Sequence, residues 1–255
     1  MKRMAVIAFN TFKENLRDKI LYNLLFFGLL LIGSALLLGT LTMGEQQKII
    51  KDIGLASINV IGLLVAVFVG IGLVSKELEK RTIFTIVSKP VPRYEFLLGR
   101  YAGLAFTLFV NVAIMTAGFF GTLLVSQALP DAGLLTAIGL MFMELLLIVA
   151  VAIMFSTFTT PTLSATFTLA IYVIGHCTAD LHALGEKLHG GLSKWLINGL
   201  YYVLPNLACF NVKGAAAYGS PIEMRYVLTS LTYGAVYTAA VILVACMIFQ
   251  RRDFR

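Results

Sequence analysis

A hydrocarbon core about 30 Å thick admits a helix only where roughly 20 consecutive residues carry little or no charge. The stretch Leu21 to Met43 meets that demand with 23 residues and no Asp, Glu, Lys or Arg. It reads as a first span. The same test marks further spans at 55–74, 104–129, 134–155, 162–179 and 226–249. Only a Pro130-Asp131 turn separates the third from the fourth, so these two must form an antiparallel hairpin. Composition agrees: 59% of the 255 residues are hydrophobic and 13% charged, against about 25% charged in soluble domains. The expectation is an all-α polytopic membrane protein with six transmembrane helices.

Two regions frame this bundle. In residues 1–20, Ala5, Phe9, Phe12, Leu16 and Ile20 recur at helical spacing, while Asn10, Lys13, Glu14 and Arg17 point elsewhere. That pattern predicts an N-terminal interfacial amphipathic helix that is retained, because the charged stretch is too long for a cleaved signal. Residues 21–255 then make up the transmembrane domain. Placing both termini inside puts fourteen Lys and Arg on the inner face against six outside, Lys48, Lys51, Lys187, Lys194, Lys213 and Arg225. This asymmetry predicts cytoplasmic N- and C-termini. It also accounts for the net charge of +7 without any nucleic-acid partner.

The longest break in the apolar first half is residues 75–103, SKELEKRTIFTIVSKPVPRYEFLLGRYAG. It holds six cations against three glutamates, so it belongs in water on the cytoplasmic face. The run Glu77 to Val87 reads as a short helix with Ile83, Phe84, Ile86 and Val87 as apolar contacts. Pro90 and Pro92 stop it, because proline offers no N–H to a continuing helix. An amphipathic helix on a membrane loop suits docking against another protein; a plain solvated connector is the alternative.

A second stretch, 180–225, is too apolar for a free loop. Leu184, Leu188, Leu192 and Leu196 step by four beside Trp195, and GLYYVLPNLACFNV follows, broken at Pro205-Asn206. Such a break suits an external re-entrant segment, which survives at membrane depth only when covered by protein or lining a water-filled route. A lid resting on lipid is the other reading.

Chemistry-bearing motifs are few. No Gly-Lys dipeptide occurs, so no Walker A loop can be built. His176, His182 and His189 lack the HExxH arrangement of a zinc hydrolase. Cys177, Cys209 and Cys246 have neither CxxC spacing nor a metal-binding pattern and read as buried apolar thiols, with a Cys177–Cys209 bridge as an alternative. The chain is not read as an enzyme. Glu144 is the one acid inside a span, which makes it a candidate path residue; a structural hydrogen bond or a protonated core carboxyl is the competing account. Asn111 is its candidate partner, a second polar liner, or interhelical glue.

Taken together, the interfacial helix, six spans, basic loop after the second span and broken segment before the sixth resemble a type-2 ABC exporter (ABC-2) permease, over essentially the whole chain. Glu77-x-Glu79-x-x-Thr82, Ser88-Lys89-Pro90-Val91-x-Arg93 and Gly99-Arg100 are similar to that family's acidic, Thr-containing, Pro-Val-x-Arg loop. Arg81 departs from it, standing where relatives often have glycine. The resemblance implies a half-transporter of a bacterial or archaeal cytoplasmic membrane that forms a homodimer and docks a separate ATPase subunit. ATP and magnesium would sit on that partner, with no cofactor in this chain, and the cargo would be lipid-like or amphipathic. Glu77, Glu79, Arg81, Thr82, Phe84, Pro90, Arg93 and Arg100 would couple ATPase to membrane, and Pro205 and Asn206 would form an external gate. For homodimer packing the candidates are the Gly62, Ala66, Gly70 ridge and Gly28, Gly33 and Gly39. A non-transporting scaffold that docks an ATPase remains open. A secondary transporter is less supported, since only Glu144 brings charge to mid-membrane and no internal repeat is evident.

Overall fold

The computed structural model describes residues 2–41, 45–79, 92–128, 131–178, 199 and 204–251. Among them are eight α-helices: α1 (Lys2–Asn15), α2 (Lys19–Thr40), α3 (Gln46–Glu79), α4 (Arg93–Val125), α5 (Ala132–Ser156), α6 (Pro161–His176), α7 (Lys213–Ala217) and α8 (Met224–Arg251). A 3-10 turn at Ala208–Phe210 precedes α7. The centre of the proposed docking loop, with Arg81, Thr82, Phe84 and Pro90, lies outside the described residues. So does the leucine stripe around Trp195.

Among the described residues five helices, α2, α3, α4, α5 and α8, are long and apolar enough to cross a membrane. The sixth span expected at 162–179 corresponds to α6, which has 16 residues. At 1.5 Å per residue that is about 24 Å, short of a hydrocarbon core. α6 stops at Cys177, and the amide of Leu207 takes the carbonyl of Gly175 at 2.9 Å. The chain from 204 to 217 then packs along α5 beyond the end of α6.

Several helices run further than their apolar cores. α3 continues through Lys48, Lys51 and Asp52 at one end and through Ser75 to Glu79 at the other, where a loop and a separate helix beginning at Glu77 were expected. Charge ends an apolar run but not a helix, since backbone hydrogen bonds continue wherever side chains can reach water. The true breaks are capped. Asp18 accepts from the amide of Ile20 and starts α2, so the 1–20 segment ends as a helix at Asn15. Asp131 accepts from Gly133 and starts α5, and Pro161 occupies the first turn of α6, where its missing N–H costs nothing.

The bundle is built around α3 and α5. In each, 67% of the apolar window is buried, against 22% in α2 and α8, so the latter pair form the periphery. The Gly62, Ala66, Gly70 ridge lies at the α3–α5 contact: a Cβ on Gly62 would stand 2.5 Å from Leu145 Cδ1, and one on Gly70 2.9 Å from the Cβ of Ala152. This ridge therefore packs within one chain. Gly28 and Gly39 are likewise filled by Met115 and Ile50, whereas Gly33 has no neighbour within 4 Å.

α1 lies across the start of α4. A Cβ on Gly99 would meet Ile7, and one on Gly103 would stand 2.5 Å from the carbonyl oxygen of Ala8. Glycine lets the two backbones touch. Thr11 and Asn15 are buried in this contact, and Asn15 Nδ2 donates to Thr107 Oγ1 at 3.0 Å. The face turned inward thus differs from the expected stripe, because Ala5 and Phe9 are exposed. A helix between protein and lipid has two apolar faces, and the bulkier one is left for lipid.

Candidate functional site

Glu144 stands at the midpoint of α5 and is completely buried. A carboxylate in that position must be hydrogen-bonded, paired or protonated. Its partner is not Asn111. From α3, Asn59 Nδ2 donates to Glu144 Oε2 at 3.4 Å. Asn59 is itself oriented from α6, where the Tyr172 hydroxyl donates to Asn59 Oδ1 at 2.6 Å. One turn further along α6, His176 Nε2 lies 3.4 Å from Glu144 Oε1, an ion-pair distance without hydrogen-bond alignment. The other ring nitrogen, Nδ1, is 3.1 Å from the carbonyl oxygen of Tyr172, and the Tyr172 and His176 rings are 4.5 Å apart.

Lys213 of α7 and Cys209 of the 3-10 turn complete the surroundings, both within electrostatic range of Glu144. The Cys209 thiol donates to the carbonyl of Asn206 at 3.0 Å.

The chain through Pro205 and Asn206 is irregular yet well supplied with partners. Thr178 Oγ1 donates to Asn206 Oδ1 at 2.9 Å, and the Asn206 amide donates to the Tyr233 hydroxyl oxygen at 2.8 Å. The carbonyl of Cys209 accepts from the hydroxyls of Tyr226 and Ser230. Leu207 and Phe210 are fully buried, Leu207 against Gly175 and Phe210 against Gly234. Broken backbone needs such cover wherever water is excluded. Protein thus covers Pro205, Leu207, Phe210 and Val212, while Asn211 is exposed.

The remaining candidates are dispersed. Asn111 on α4 is 2% exposed, and neither amide atom has a hydrogen-bond partner. Glu77 and Glu79 lie in the last turn of α3, and Arg93 opens α4. Arg100 is buried where α4, α5 and α8 meet, its guanidinium 4.8 Å from the Phe96 ring centroid beside Ile153, Thr157 and Phe249. Cys177, Cys209 and Cys246 are free thiols, and Cys177 is exposed, not buried. Sequence reading passed over Asn59, Tyr172 and Lys213 and weighed His176 only as a zinc ligand. The rule that singled out Glu144, a polar group in an uncharged run, applies equally to Asn59.

These features define a class: an all-α integral membrane protein with a buried polar cluster at the centre of its bundle. Within that class the chain belongs to the DUF2705 family, described as proteins of unknown function, whose model matches residues 26–255. A comparison with curated proteins gives no match.

Proposed function

We propose that the chain is the membrane-spanning permease subunit of an ABC exporter, moving a lipid-like or amphipathic molecule with ATP hydrolysed by a separate subunit. One observation carries the reading: α4 starts immediately after Pro92 and runs unbroken for 33 residues, with α1 seated on its first turns through Gly99 and Gly103. A force applied to the 80–91 loop from the cytoplasmic side would be delivered to a rigid helix pair. Pro92, with φ −62° at the cap of α4, stiffens that entry. Arg100 acts here as part of the packing of α4 against α5 and α8, since it lies inside the bundle.

Two further features support this reading. A cavity of about 260 Å³ between α5 and α8 is walled by Gly139, Leu140, Ile222, Met224 and Leu231, with Thr136 as its hydroxyl-bearing side chain; that lining suits an acyl chain better than a hydrated ion. α2 presents Phe26, Phe27, Leu30 and Leu37 outward around the open Gly33, which offers a face to a second copy. In this reading α6 and the 204–217 segment together make the sixth crossing.

The test is purification of the chain from native membranes, with identification of any span-free ATPase that accompanies it. ATP hydrolysis is then measured for the wild type and for Arg93→Glu, Glu79→Lys and Phe84→Ala. The proposal expects all three to weaken ATPase retention or coupling, with Phe84→Ala strongest because buried apolar anchors carry most of an interface's affinity. Normal retention and coupling in all three folded variants would overturn the role of the loop. Retention of an ATPase without any cargo movement would identify a scaffold instead.

A further inference from the structure

The arrangement around Glu144 fixes a count of protons. The carbonyl of Tyr172 can only accept, so the His176 Nδ1 facing it at 3.1 Å carries a hydrogen. In the neutral ring, Nε2 is then a lone pair. Nε2 lies 3.4 Å from Glu144 Oε1, at ion-pair distance but without the alignment of a hydrogen bond, on a carboxylate whose other oxygen already accepts from Asn59. Two acceptors this close in a buried site repel; one proton on either atom, with a small turn of the ring to align it, turns repulsion into a bond.

We propose that Glu144 and His176 form a single-proton binding site, and that its occupancy decides whether the end of α6 stays docked on α5 beneath the 204–217 segment. With the proton present, α6 is tied to α5 at its last residue. With the proton gone, the lone pair faces the carboxylate, and Lys213 of α7 remains as the counter-charge to Glu144. The consequence passes directly to the irregular segment, because Gly175 and Thr178, on either side of His176, bond Leu207 and Asn206. His176 provides the entry for the proton, with 22% of its side chain exposed against none of Glu144.

Among the described residues, the polar groups near the pair come from several elements. α3 supplies the neutral Asn59, α6 supplies Tyr172, the 3-10 turn supplies Cys209 and α7 supplies Lys213. α4 contributes Tyr101, whose hydroxyl donates to the carbonyl of Leu146. α8 contributes Tyr233, bonded to the Asn206 amide. Among the described residues, Lys213 is the cationic side chain within electrostatic range of Glu144. This inference concerns the chain alone and stands whether or not an ATPase binds it.

The test uses the full-length protein in lipid nanodiscs with a nitroxide on the exposed Cys177, in a Cys209→Ser, Cys246→Ser background, with spectra recorded from pH 5 to pH 9. The wild-type pair is expected to give two spectra interconverting with a one-proton pH dependence, the low-pH form the less mobile. Glu144→Gln is the discriminating variant. Its amide oxygen can accept from Asn59 while its N–H donates to His176 Nε2, so it should show the low-pH spectrum at every pH. His176→Phe should abolish the transition. A Glu144→Gln spectrum that still titrates as wild type, or that is fixed in the high-pH form, overturns the proposal. Nitrogen NMR of the histidine-labelled wild type makes the test independent of any variant's folding. Nδ1 of His176 should keep its hydrogen across the range while Nε2 or its carboxylate partner exchanges one, and loss of the Nδ1 hydrogen overturns the proposal equally.

Discussion

The contact of α1 with α4 and the contact of α6 with α5 hold helices together by different means. At the first, Gly99 and Gly103 let the backbones touch, the buried pair Asn15 and Thr107 adds a hydrogen bond, and Glu14 lies within electrostatic range of Arg100. At the second, a chain of polar groups runs from Tyr172 through Asn59 to Glu144 and His176. The first is steric, with no titratable group in its hydrogen bond, so its strength is independent of pH over the physiological range. The second contains a carboxyl and an imidazole facing each other, so its strength depends on where a proton is.

The largest effect that separates the two contacts is expected at Gly103. A side chain there would strike the carbonyl of Ala8 at 2.5 Å, backbone that cannot rotate away, so Gly103→Val should cost about 3 kcal/mol or more. Thermal unfolding in detergent measures this, and the loss should be the same at pH 5.5 and pH 8.5. A loss that varied with pH would break the comparison, since it would join α1 to the proton-dependent site.

Next comes Asn15 with Thr107. Asn15→Ala leaves a buried hydroxyl that still donates to the carbonyl of Gly103, and should cost about 1 kcal/mol. In a double-mutant cycle with Thr107→Val the coupling should be about 0.6 to 2 kcal/mol, the range for interhelical hydrogen bonds in membranes. Zero coupling would reduce the contact to glycine packing alone.

Tyr172→Phe removes the hydroxyl that orients Asn59 and should cost about 1 kcal/mol at either pH. It also frees the Asn59 amide to turn, so the pH range over which the Cys177 label responds should move. An unmoved transition would show that Asn59 is held by packing alone. Smallest is Gly33→Ala: with open space around it, the folded monomer should change by less than about 0.5 kcal/mol. Crosslinking between copies through α2 is the sensitive measurement there. Equal crosslinking in Gly33→Leu would remove that face from the proposed dimer.

The sequence by itself determined the membrane class, the all-α architecture and the positions of five long helices, because hydrocarbon thickness imposes a requirement that each run of about 20 residues meets or fails alone. It also singled out Glu144, since one acid in an uncharged run is conspicuous without any neighbour. In it 162–179 reads as one full span, where the described α6 has 16 residues and Leu207, from a distant part of the chain, bonds the carbonyl of Gly175 at its end. It could not choose between Asn111 and Asn59 as the partner of Glu144. Both are lone amides in apolar helices, and which one meets the carboxylate depends on how far each helix is rotated about its axis. That rotation is set by packing such as Gly62 against Leu145, between residues more than eighty positions apart, so only the tertiary structure decided it.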